Sequence, residues 1–267
     1  MKGMVVAGAA GRMGREIVGA VAAHPQAGLA GGFEPPGHPE LGRDLGLLAG
    51  IGELGLKLSG GLAEAGEGAR VVIDFTTPES SLANARQAGR MGLATVIGTT
   101  GLSPDQTGEL ARLAETSPIL FAPNMSMGVN LLLNLVREAA RTLGPDYDLE
   151  IVEAHHKMKV DAPSGTALAL AKAGAEGREL DLDRVKVCAR EGQVGSRQEN
   201  QIGIQAVRGG DIVGEHTVYL AGPGERLELI HRCHSRSTFA QGAVRAALWV
   251  ADREPGLFDM QDVLGLK

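Results

Sequence analysis

Short apolar segments alternate with helical and glycine-rich segments through the first half of the chain. The runs Met4–Ala7, Val71–Phe75 and Ala94–Ile97 have the length and the apolar, partly β-branched content of buried strands. Segments 15–23 and 78–91 have helical character, and the second opens on a proline, which a first helical turn accepts. Strand, helix and strand repeated in this way predict a parallel sheet with crossover helices.

The rest of this first half contains two more strands, one more helix and a long irregular segment. The strands are predicted at 29–33 and 119–122, and the helix begins near Ser103. Segment 38–68 is rich in glycine and has no clear period, so we expect it to be mostly loop.

The pattern changes after about residue 126. Helices are predicted at 129–143, 167–175 and 238–250. Five strand-like runs lie among them, at 149–154, 185–189, 202–207, 216–220 and 227–231. Strands that follow strands, with glycine-rich turns between them, indicate a mixed or antiparallel sheet.

These two patterns predict an α/β protein with two domains. Residues 1–126 with 237–267 are expected to form a Rossmann-like parallel-sheet domain, because the last helix returns to the first sheet. Residues 127–236 are expected to form a smaller α+β domain around a mixed sheet.

Composition narrows the range of partners. The chain has 267 residues, of which 43% are hydrophobic, and its net charge of -6 argues against binding to nucleic acid or to a membrane surface. Two cysteines without a CxxC pair favour a reducing cytoplasm. No segment has the character of a signal peptide or a membrane helix.

A glycine-rich turn follows the first predicted strand. In GAAGRMG, Gly8, Gly11 and Gly14 are three residues apart, between a strand and a helix, where backbone N–H groups can bind a pyrophosphate. Glu34 lies at the end of the second strand, where an acid binds the ribose hydroxyls of NAD. The alternative is a tight turn without a ligand; the strand, the helix and the acid together favour dinucleotide binding.

Two further segments follow parallel strands of the same predicted sheet. They are GTTG, which begins at Gly98, and APNM, which spans Ala122–Met125. Ligands of doubly wound sheets bind beyond the carboxyl ends of the strands, so these segments are candidates for holding a nicotinamide carboxamide. Glycine, threonine, proline and asparagine also favour ordinary turns, and this alternative stays open.

The segment EAHHKMKVDAPSGTA contains the second group of candidate residues. His155 and His156 follow a predicted strand, on which neighbours point to opposite faces, so joint binding of one metal ion is disfavoured. Two carboxylates could be held here, one by Lys159 beside a histidine and the other by Ser164–Thr166 at the start of a helix. A histidine can also deliver a proton at neutral pH. Lys157 and Lys159 share a face if the extended geometry continues. The alternative is a solvated turn before an ordinary capped helix.

Six segments, in this order, are similar to one known family: GAAGRMG, VVIDFTTPE, GTTG, FAPNMSMGVN, EAHHKMKVDAPSGTA and SRSTFAQGAVRAALWV. The chain thereby resembles the 4-hydroxy-tetrahydrodipicolinate reductases over nearly its whole length. The resemblance implies a dinucleotide-binding domain and a domain for substrate binding and tetramerisation. It implies reduction of a small cyclic dicarboxylate by NADH or NADPH in lysine and diaminopimelate biosynthesis.

The resemblance also implies roles for individual residues. His155 corresponds to the proton donor and Lys159 to a second catalytic residue. The implied substrate contacts are His156, Ser164, Gly165, Thr166 and Arg236. The implied dinucleotide contacts are Gly8, Ala9, Ala10, Gly11, Arg12, Met13, Glu34, Gly98, Thr99, Thr100, Ala122, Pro123, Asn124 and Met125.

The sequence leaves the choice of cofactor and two rival interpretations of function open. Pro35 occupies the position where relatives that use NADPH well often carry an arginine, so we expect NADH to serve at least as well as NADPH. The first rival interpretation is another Rossmann oxidoreductase that acts on a different small amino-dicarboxylic acid. The second rival is a protein that binds NADH without catalysis.

Overall fold

The computed structural model describes residues 1–267 and divides the chain into two compact units. The first unit contains Met1–Met127 and Arg236–Lys267, and the second contains Gly128–Ser235. The predicted boundaries lie one residue away from these at both junctions. No helix in either unit combines the length and the apolar character needed to cross a membrane.

The N-terminal part of the first unit alternates strands with helices. Its elements are β1 (Lys2–Ala7), α1 (Arg12–Ala23), β2 (Ala27–Phe33), α2 (Leu45–Ala49), α3 (Leu62–Ala65), β3 (Val71–Asp74), α4 (Pro78–Arg90), β4 (Ala94–Ile97), α5 (Pro104–Ala114) and β5 (Pro118–Phe121). The predicted strands and long helices of this part are present, with ends that differ by a few residues.

The second unit begins with a long helix and then forms a sheet. Its elements are α6 (Met127–Leu143), a 3₁₀ turn (Gly144–Asp146), β6 (Asp148–His155), α7 (Gly165–Gly177), α8 (Leu182–Val185), β7 (Lys186–Val187), β8 (Ile202–Arg208), β9 (Gly214–Gly222) and β10 (Glu225–Cys233). The chain then returns to the first unit through α9 (Ser237–Val250), β11 (Gly256–Phe258) and α10 (Met260–Leu264).

The first unit is built on a six-stranded sheet in the order β11-β5-β4-β3-β1-β2, in which every strand pair is parallel. All four residues of β3 and of β4 are buried, as expected for strands covered on both faces. Helix α9 packs against β3, β4 and β5, so the predicted return of the last helix to this sheet is observed. Because all strands run the same way, their carboxyl ends and the loops that follow them share one edge.

Two predictions for the first unit were incomplete. Segment 38–68, predicted as mostly loop, contains α2 and α3. Asp44 stabilises the start of α2 by accepting from the N–H groups of Gly46 and Leu47. Helices of five and four residues are too short to show a helical period, which is why the sequence pattern did not reveal them. Strand β11 and helix α10 near the C-terminus were also not predicted.

The second unit contains a mixed sheet in the order β10-β9-β6-β8-β7. Strand β6 is central: it pairs parallel with β8 and antiparallel with β9. Alternate residues of β6, Leu149, Ile151 and Glu153, are buried on the face that α7 covers. The mixed sheet was predicted and is confirmed, and with the parallel sheet it establishes the predicted fold class.

The strand predicted at 185–189 is largely wrong. Val185 ends helix α8, and only Lys186 and Val187 pair with β8. Past Val187 the chain leaves the sheet edge, and two arginines that follow the predicted segment contact a residue of β6 instead. Arg190 and Arg197 both donate to the carboxylate of Glu150, at 2.7–2.9 Å.

Candidate active site

Strand β6 carries a buried carboxylate and a histidine on the same face. Glu153 and His155 are two residues apart, so the strand points both side chains to one side. Glu153 is fully buried, whereas the His155 side chain, at the end of the strand, is 12% exposed. Glu153 Oε2 lies 2.6 Å from His155 Nδ1. The carboxylate is an acceptor only, so Nδ1 donates and carries a proton whenever this hydrogen bond is present.

Both oxygens of Glu153 accept from two donors each. Arg208, from β8, forms a two-pronged ion pair with it, NH1 to Oε2 and NH2 to Oε1, both at 2.7 Å. The N–H of Ser164 donates to Oε1 at 3.0 Å. Burial works to raise the pKa of Glu153, but the hydrogen bonds from Arg208, His155 and Ser164 outweigh it and lower the pKa. Glu153 is therefore a charged hub that joins two strands to the turn before α7.

His155 has a second nitrogen that does not contact Glu153. Nε2 lies on the side of Gly214, where a side chain on Gly214 would place its Cβ 3.1 Å from this atom. Burial lowers the pKa of His155, while the hydrogen bond and charge of Glu153 act to raise it, and the net shift is downward. His155 is mostly neutral near pH 7, and a nearby anion would favour its protonated form.

The turn after β6 positions Lys159 differently from one of our expectations. The strand ends at His155, and the N–H of Lys159 closes a turn on the carbonyl of His156 at 3.1 Å, so the extended geometry does not continue. Lys157 is exposed, whereas the side chain of Lys159 is 21% exposed. Lys159 Nζ donates to both oxygens of Asp161, at 2.8 and 2.9 Å. His156 directly follows the strand, is half-buried, and donates its N–H to Ile212.

Ser164 begins helix α7 as its N-cap. Its hydroxyl oxygen accepts from the N–H of Ala167 at 3.1 Å, while its own N–H is held by Glu153. Gly165 is exposed and has open space where a side chain would be, and Thr166 is half-buried. The first turn of a 13-residue helix offers N–H groups and a positive dipole end, which suit a carboxylate.

The structure brings most of the predicted substrate residues together. His155 and Ser164 are joined through Glu153, and the positive charge of Lys159 is close enough to affect the pKa of His155. Arg236 belongs to the first unit, where it is exposed at the start of α9.

Glu153, Arg208 and His216 were not predicted from the sequence as site residues. His216 lies opposite Glu153 on β9, with its Nε2 atom 3.1 Å from Ser164 Oγ and its ring edge-to-face with His155 at 5.3 Å. Arg208 lies opposite His155 on β8. Of these three residues, only Glu153 had a local signal in the sequence. An acidic residue two positions before a histidine on the same strand points to the same face as the histidine.

The first unit carries the glycine-rich turn between β1 and α1. Gly8 has a φ of 66°, in the left-handed region that favours glycine. A Cβ on Gly14 would come within 2.7 Å of the Cα of Ala9, so α1 can approach this turn only because residue 14 is glycine. Gly11 is the N-cap of α1 and forms no side-chain cap, which leaves the first-turn N–H groups uncovered by protein side chains.

Glu34 is placed beside this turn. It follows β2, is 9% exposed, and its Oε1 accepts from the N–H of Ala10 at 2.9 Å. An uncapped helix start beside a carboxylate at the end of the second strand fits the pyrophosphate and the ribose of a dinucleotide. Arg12 and Met13 form the first two positions of α1.

The segment that begins at Gly98 is ordered by a buried network that we did not predict. Asp74, at the end of β3, accepts from the hydroxyls of Thr76 and Ser81, both at 2.7 Å, and from Thr99 at 3.2 Å. Gly98 lies against the ring of Phe75, where a side chain would collide. Asp74 therefore holds the loops after β3 and β4 together, and Thr100 is exposed beyond them.

The loop after β5 completes this edge of the sheet. Ala122 and Met125 are buried, and Asn124 Oδ1 accepts from the N–H of Ser126 at 2.9 Å. The three predicted nucleotide segments thus follow β1, β4 and β5, at the edge formed by the carboxyl ends of a parallel sheet. Open α/β sheets bind their ligands at this edge.

Together, the two units define a class of protein: an oxidoreductase that uses a nicotinamide dinucleotide and acts on a small anionic substrate. Family models support this class and specify it. The model described as dihydrodipicolinate reductase, N-terminus, matches residues 2–125, and the one described as dihydrodipicolinate reductase, C-terminus, matches residues 128–264. The chain belongs to the dihydrodipicolinate reductase family.

Curated relatives are similar over the full length. The 4-hydroxy-tetrahydrodipicolinate reductase of Anaeromyxobacter sp. (strain Fw109-5) is 54% identical over 267 residues, which cover 100% of this chain and 99% of the relative. That of Geotalea uraniireducens (strain Rf4) is 48% identical over 264 residues, 99% of each chain. The structure of a dipicolinate-bound dihydrodipicolinate reductase from Paenisporosarcina sp. TG-14 shares the fold, with a TM-score of 0.77 and 24% identity over 98% of each chain.

Family membership establishes the activity. The chain is an oxidoreductase of lysine biosynthesis that reduces 4-hydroxy-tetrahydrodipicolinate, and the family uses NADH or NADPH as the reductant. The expected family, fold class, activity and type of cofactor are confirmed, and the two rival interpretations of the sequence are set aside.

Proposed function

We propose that the Glu153–His155–Ser164 cluster at the end of β6 is the centre of the substrate site. The observation that carries this proposal is the 2.6 Å contact between Glu153 and His155 Nδ1, in a cluster that also holds the start of α7. A histidine oriented by a buried carboxylate, next to a helix N-terminus, combines a proton donor with a carboxylate site.

In this proposal, His155 is the general acid. When bound, the reduced nicotinamide supplies a hydride to the substrate. His155 delivers a proton from Nε2 to neutralise the negative charge that develops on the substrate, whose 4-hydroxyl group is lost as water, while Nδ1 stays hydrogen-bonded to Glu153. Glu153 keeps the ring in one orientation and stabilises the imidazolium form before the proton is given up.

Lys159 and the start of α7 would hold the two carboxylates of the substrate. The ion pair between Lys159 and Asp161 is weak, because Asp161 is exposed and exposed ion pairs contribute roughly 0–1 kcal/mol to stability. A substrate carboxylate can therefore replace Asp161 on Lys159. Ser164, Gly165 and Thr166 would hold the other carboxylate, and we propose His156 and Arg236 as further contacts.

The first unit would hold the dinucleotide through the residues predicted for it. The N–H groups at the start of α1, within Gly8–Met13, would bind the pyrophosphate, and Glu34 would bind the ribose hydroxyls. Segments Gly98–Thr100 and Ala122–Met125 would hold the nicotinamide end. We further propose that NADH serves at least as well as NADPH.

Two properties of the protein in the cell belong to the proposal. We propose a homotetramer; the face of the mixed sheet opposite α7, where Val207 and Ile230 are 48% and 46% exposed, supports association with other copies of the chain. A cytoplasmic location is supported by the two free cysteines, of which Cys188 is exposed.

The site proposal is tested by replacing Lys159 with alanine. The substrate is generated with dihydrodipicolinate synthase, and the loss of NADH absorbance is followed at saturating NADH. We expect kcat/KM of Lys159→Ala to fall roughly 10- to 100-fold, because the substrate loses one charge-assisted hydrogen bond. Lys157→Ala, two residues away and exposed, is the matched control and should be close to wild type. Equal rates in the two variants would refute the role of Lys159.

The ribose contact is tested by replacing Glu34 with glutamine. Glutamine can still accept from the N–H of Ala10 but has no charge to repel a 2′-phosphate. We expect the ratio of kcat/KM for NADPH over NADH to rise roughly tenfold. Glu64→Gln, an exposed position in α3, makes the same change in net charge and should leave the ratio unaltered. An unchanged ratio in Glu34→Gln would show that Glu34 does not face the ribose.

A further inference from the structure

His216 is buried behind the proposed carboxylate site. It lies on β9, 4% exposed, and its Nε2 atom is 3.1 Å from Ser164 Oγ. Its other ring nitrogen, Nδ1, is buried and has no hydrogen-bond partner. Only one of the two ring nitrogens of His216 therefore has a hydrogen-bond partner, and the function of the residue depends on which nitrogen carries the proton.

His216 is neutral in the folded protein. Burial, reinforced by the nearby His155, lowers the pKa of His216 to about 4. A neutral imidazole carries one proton, either on Nδ1 or on Nε2, and the hydrogen bonds around the ring determine which tautomer is present.

The two tautomers differ in what they leave unsatisfied. With the proton on Nδ1, a buried N–H donor would have no acceptor, and the hydroxyl of Ser164 would donate inward to Nε2. With the proton on Nε2, this N–H donates to Ser164 Oγ, and only the lone pair of Nδ1 is left without a partner. Buried N–H donors without acceptors are rarer in proteins than under-satisfied acceptors, so the second arrangement is favoured.

The second arrangement determines where the Ser164 hydroxyl proton can point. Ser164 Oγ already accepts from the N–H of Ala167 at 3.1 Å. A hydroxyl oxygen has two acceptor lone pairs and one O–H donor. With Ala167 and His216 occupying both lone pairs, the remaining O–H is left to donate elsewhere.

We propose that His216 is a positioning residue that donates from Nε2 to Ser164 and thereby holds the Ser164 hydroxyl as a hydrogen-bond donor to a substrate carboxylate. This inference rests on the proposed role of Ser164 as a substrate contact. A carboxylate is an acceptor only, so a fixed O–H donor beside the N–H groups of α7 recognises it and disfavours a group that presents its own N–H there.

The tautomer is measured directly on the wild-type protein. A long-range ¹H–¹⁵N correlation spectrum of ¹⁵N-labelled protein near pH 7 distinguishes a protonated from an unprotonated ring nitrogen, and His216→Gln assigns the signals. We expect Nε2 of His216 to be protonated and Nδ1 to be unprotonated. The reverse pattern would overturn the inference, whatever the kinetics show.

Kinetics then test whether His216 acts through Ser164. We expect Ser164→Ala and His216→Leu each to raise the KM for substrate roughly 10-fold, with a smaller change in kcat. His216→Gln, which keeps an N–H donor on a side chain of similar reach, should recover most of the loss. The double variant should be no worse than the more impaired single variant, because both changes remove one interaction.

The outcomes separate this inference from the proposal that it rests on. Additive effects in the double variant would show that His216 supports the fold independently of Ser164, which overturns the inference. An unchanged KM in Ser164→Ala would instead refute the substrate contact proposed for Ser164, and the role of His216 with it. In that case the tautomer measured for His216 would remain valid, but it would have no role in substrate binding.

Discussion

Replacing Glu153 with glutamine is expected to lower the free energy of unfolding by about 3–5 kcal/mol, the range measured when one partner of a buried ion pair is removed. Glutamine has nearly the same shape as glutamate, so the loss does not come from a cavity. It comes from the guanidinium of Arg208, which would be left beside a neutral amide.

The hydrogen bonds of Glu153 make glutamine unsuitable in either orientation. Every group that contacts its two oxygens is a donor: Arg208 on both, His155 on one and the N–H of Ser164 on the other. The NH₂ group of glutamine would face donors on whichever side it was placed. At least one buried donor would then lose its acceptor, which adds to the cost of the lost charge.

Urea denaturation followed by circular dichroism measures this effect, with Glu150→Gln as the matched control. Glu150 lies on the same strand and is also held by two arginines, but its side chain is 23% exposed. Partly solvated pairs contribute little, so we expect this control to lose about 1 kcal/mol or less. Equal losses in the two variants would contradict the role of Glu153 as a buried hub.

Stability should also fall as the pH is lowered through the range in which Glu153 protonates. The pKa of Glu153 is lowered in the folded state, so its contribution is present above the ordinary glutamate value of 4.5 and is lost as the pH falls through the folded-state value. His216 acts in the same direction, because its pKa falls from 6.5 to about 4 on folding. As the pH falls from 6.5 to about 4, the unfolded state takes up a proton on His216 that the folded state does not, so the free energy of unfolding decreases over this range.

The parallel-sheet unit was predictable because each of its elements has a strong local signal. Strands β3 and β4 are buried on both faces, and such strands appear in sequence as continuous apolar runs. Helices α2 and α3 span too few residues for any period to emerge. Strand β7 extends for only two residues beyond a helical turn, so the apolar residues at 185–189 suggested a longer strand.

The candidate site was predictable only where its residues are close in sequence. His155, Lys159 and Ser164 occur in one segment, and their chemical types suggested a proton donor and two anion contacts. Arg208 and His216 reach the same place through strand pairing, more than fifty residues along the chain. Their positions follow from the register of β6 with β8 and β9, which apolar patterns do not determine.

The expected loss of activity is largest for His155. Replacing it with asparagine should lower kcat roughly 10²- to 10⁴-fold, the usual contribution of a general acid, with little change in KM. Asparagine carries an N–H₂ group close to the position of Nδ1, so it can still donate to Glu153. It has no group in place of Nε2. The variant therefore keeps the hydrogen bond to Glu153 and removes the proton donor together with the ring contact to His216. A kcat above about one tenth of wild type would refute the assignment.

The pH dependence of the wild-type enzyme gives an independent test. The acid must be protonated, so kcat/KM should fall as the pH rises through the pKa of His155, which burial places below 6.5 in the free enzyme. The corresponding fall in kcat, which reports the enzyme with substrate bound, should occur at higher pH than the fall in kcat/KM, because two bound carboxylates favour the imidazolium form of His155. Glu153 acts to raise the pKa of His155, so Glu153→Gln should move the limb in kcat/KM to lower pH, and His155→Asn should abolish it. A limb that survives in His155→Asn would belong to another group, and the proton would then have a different source.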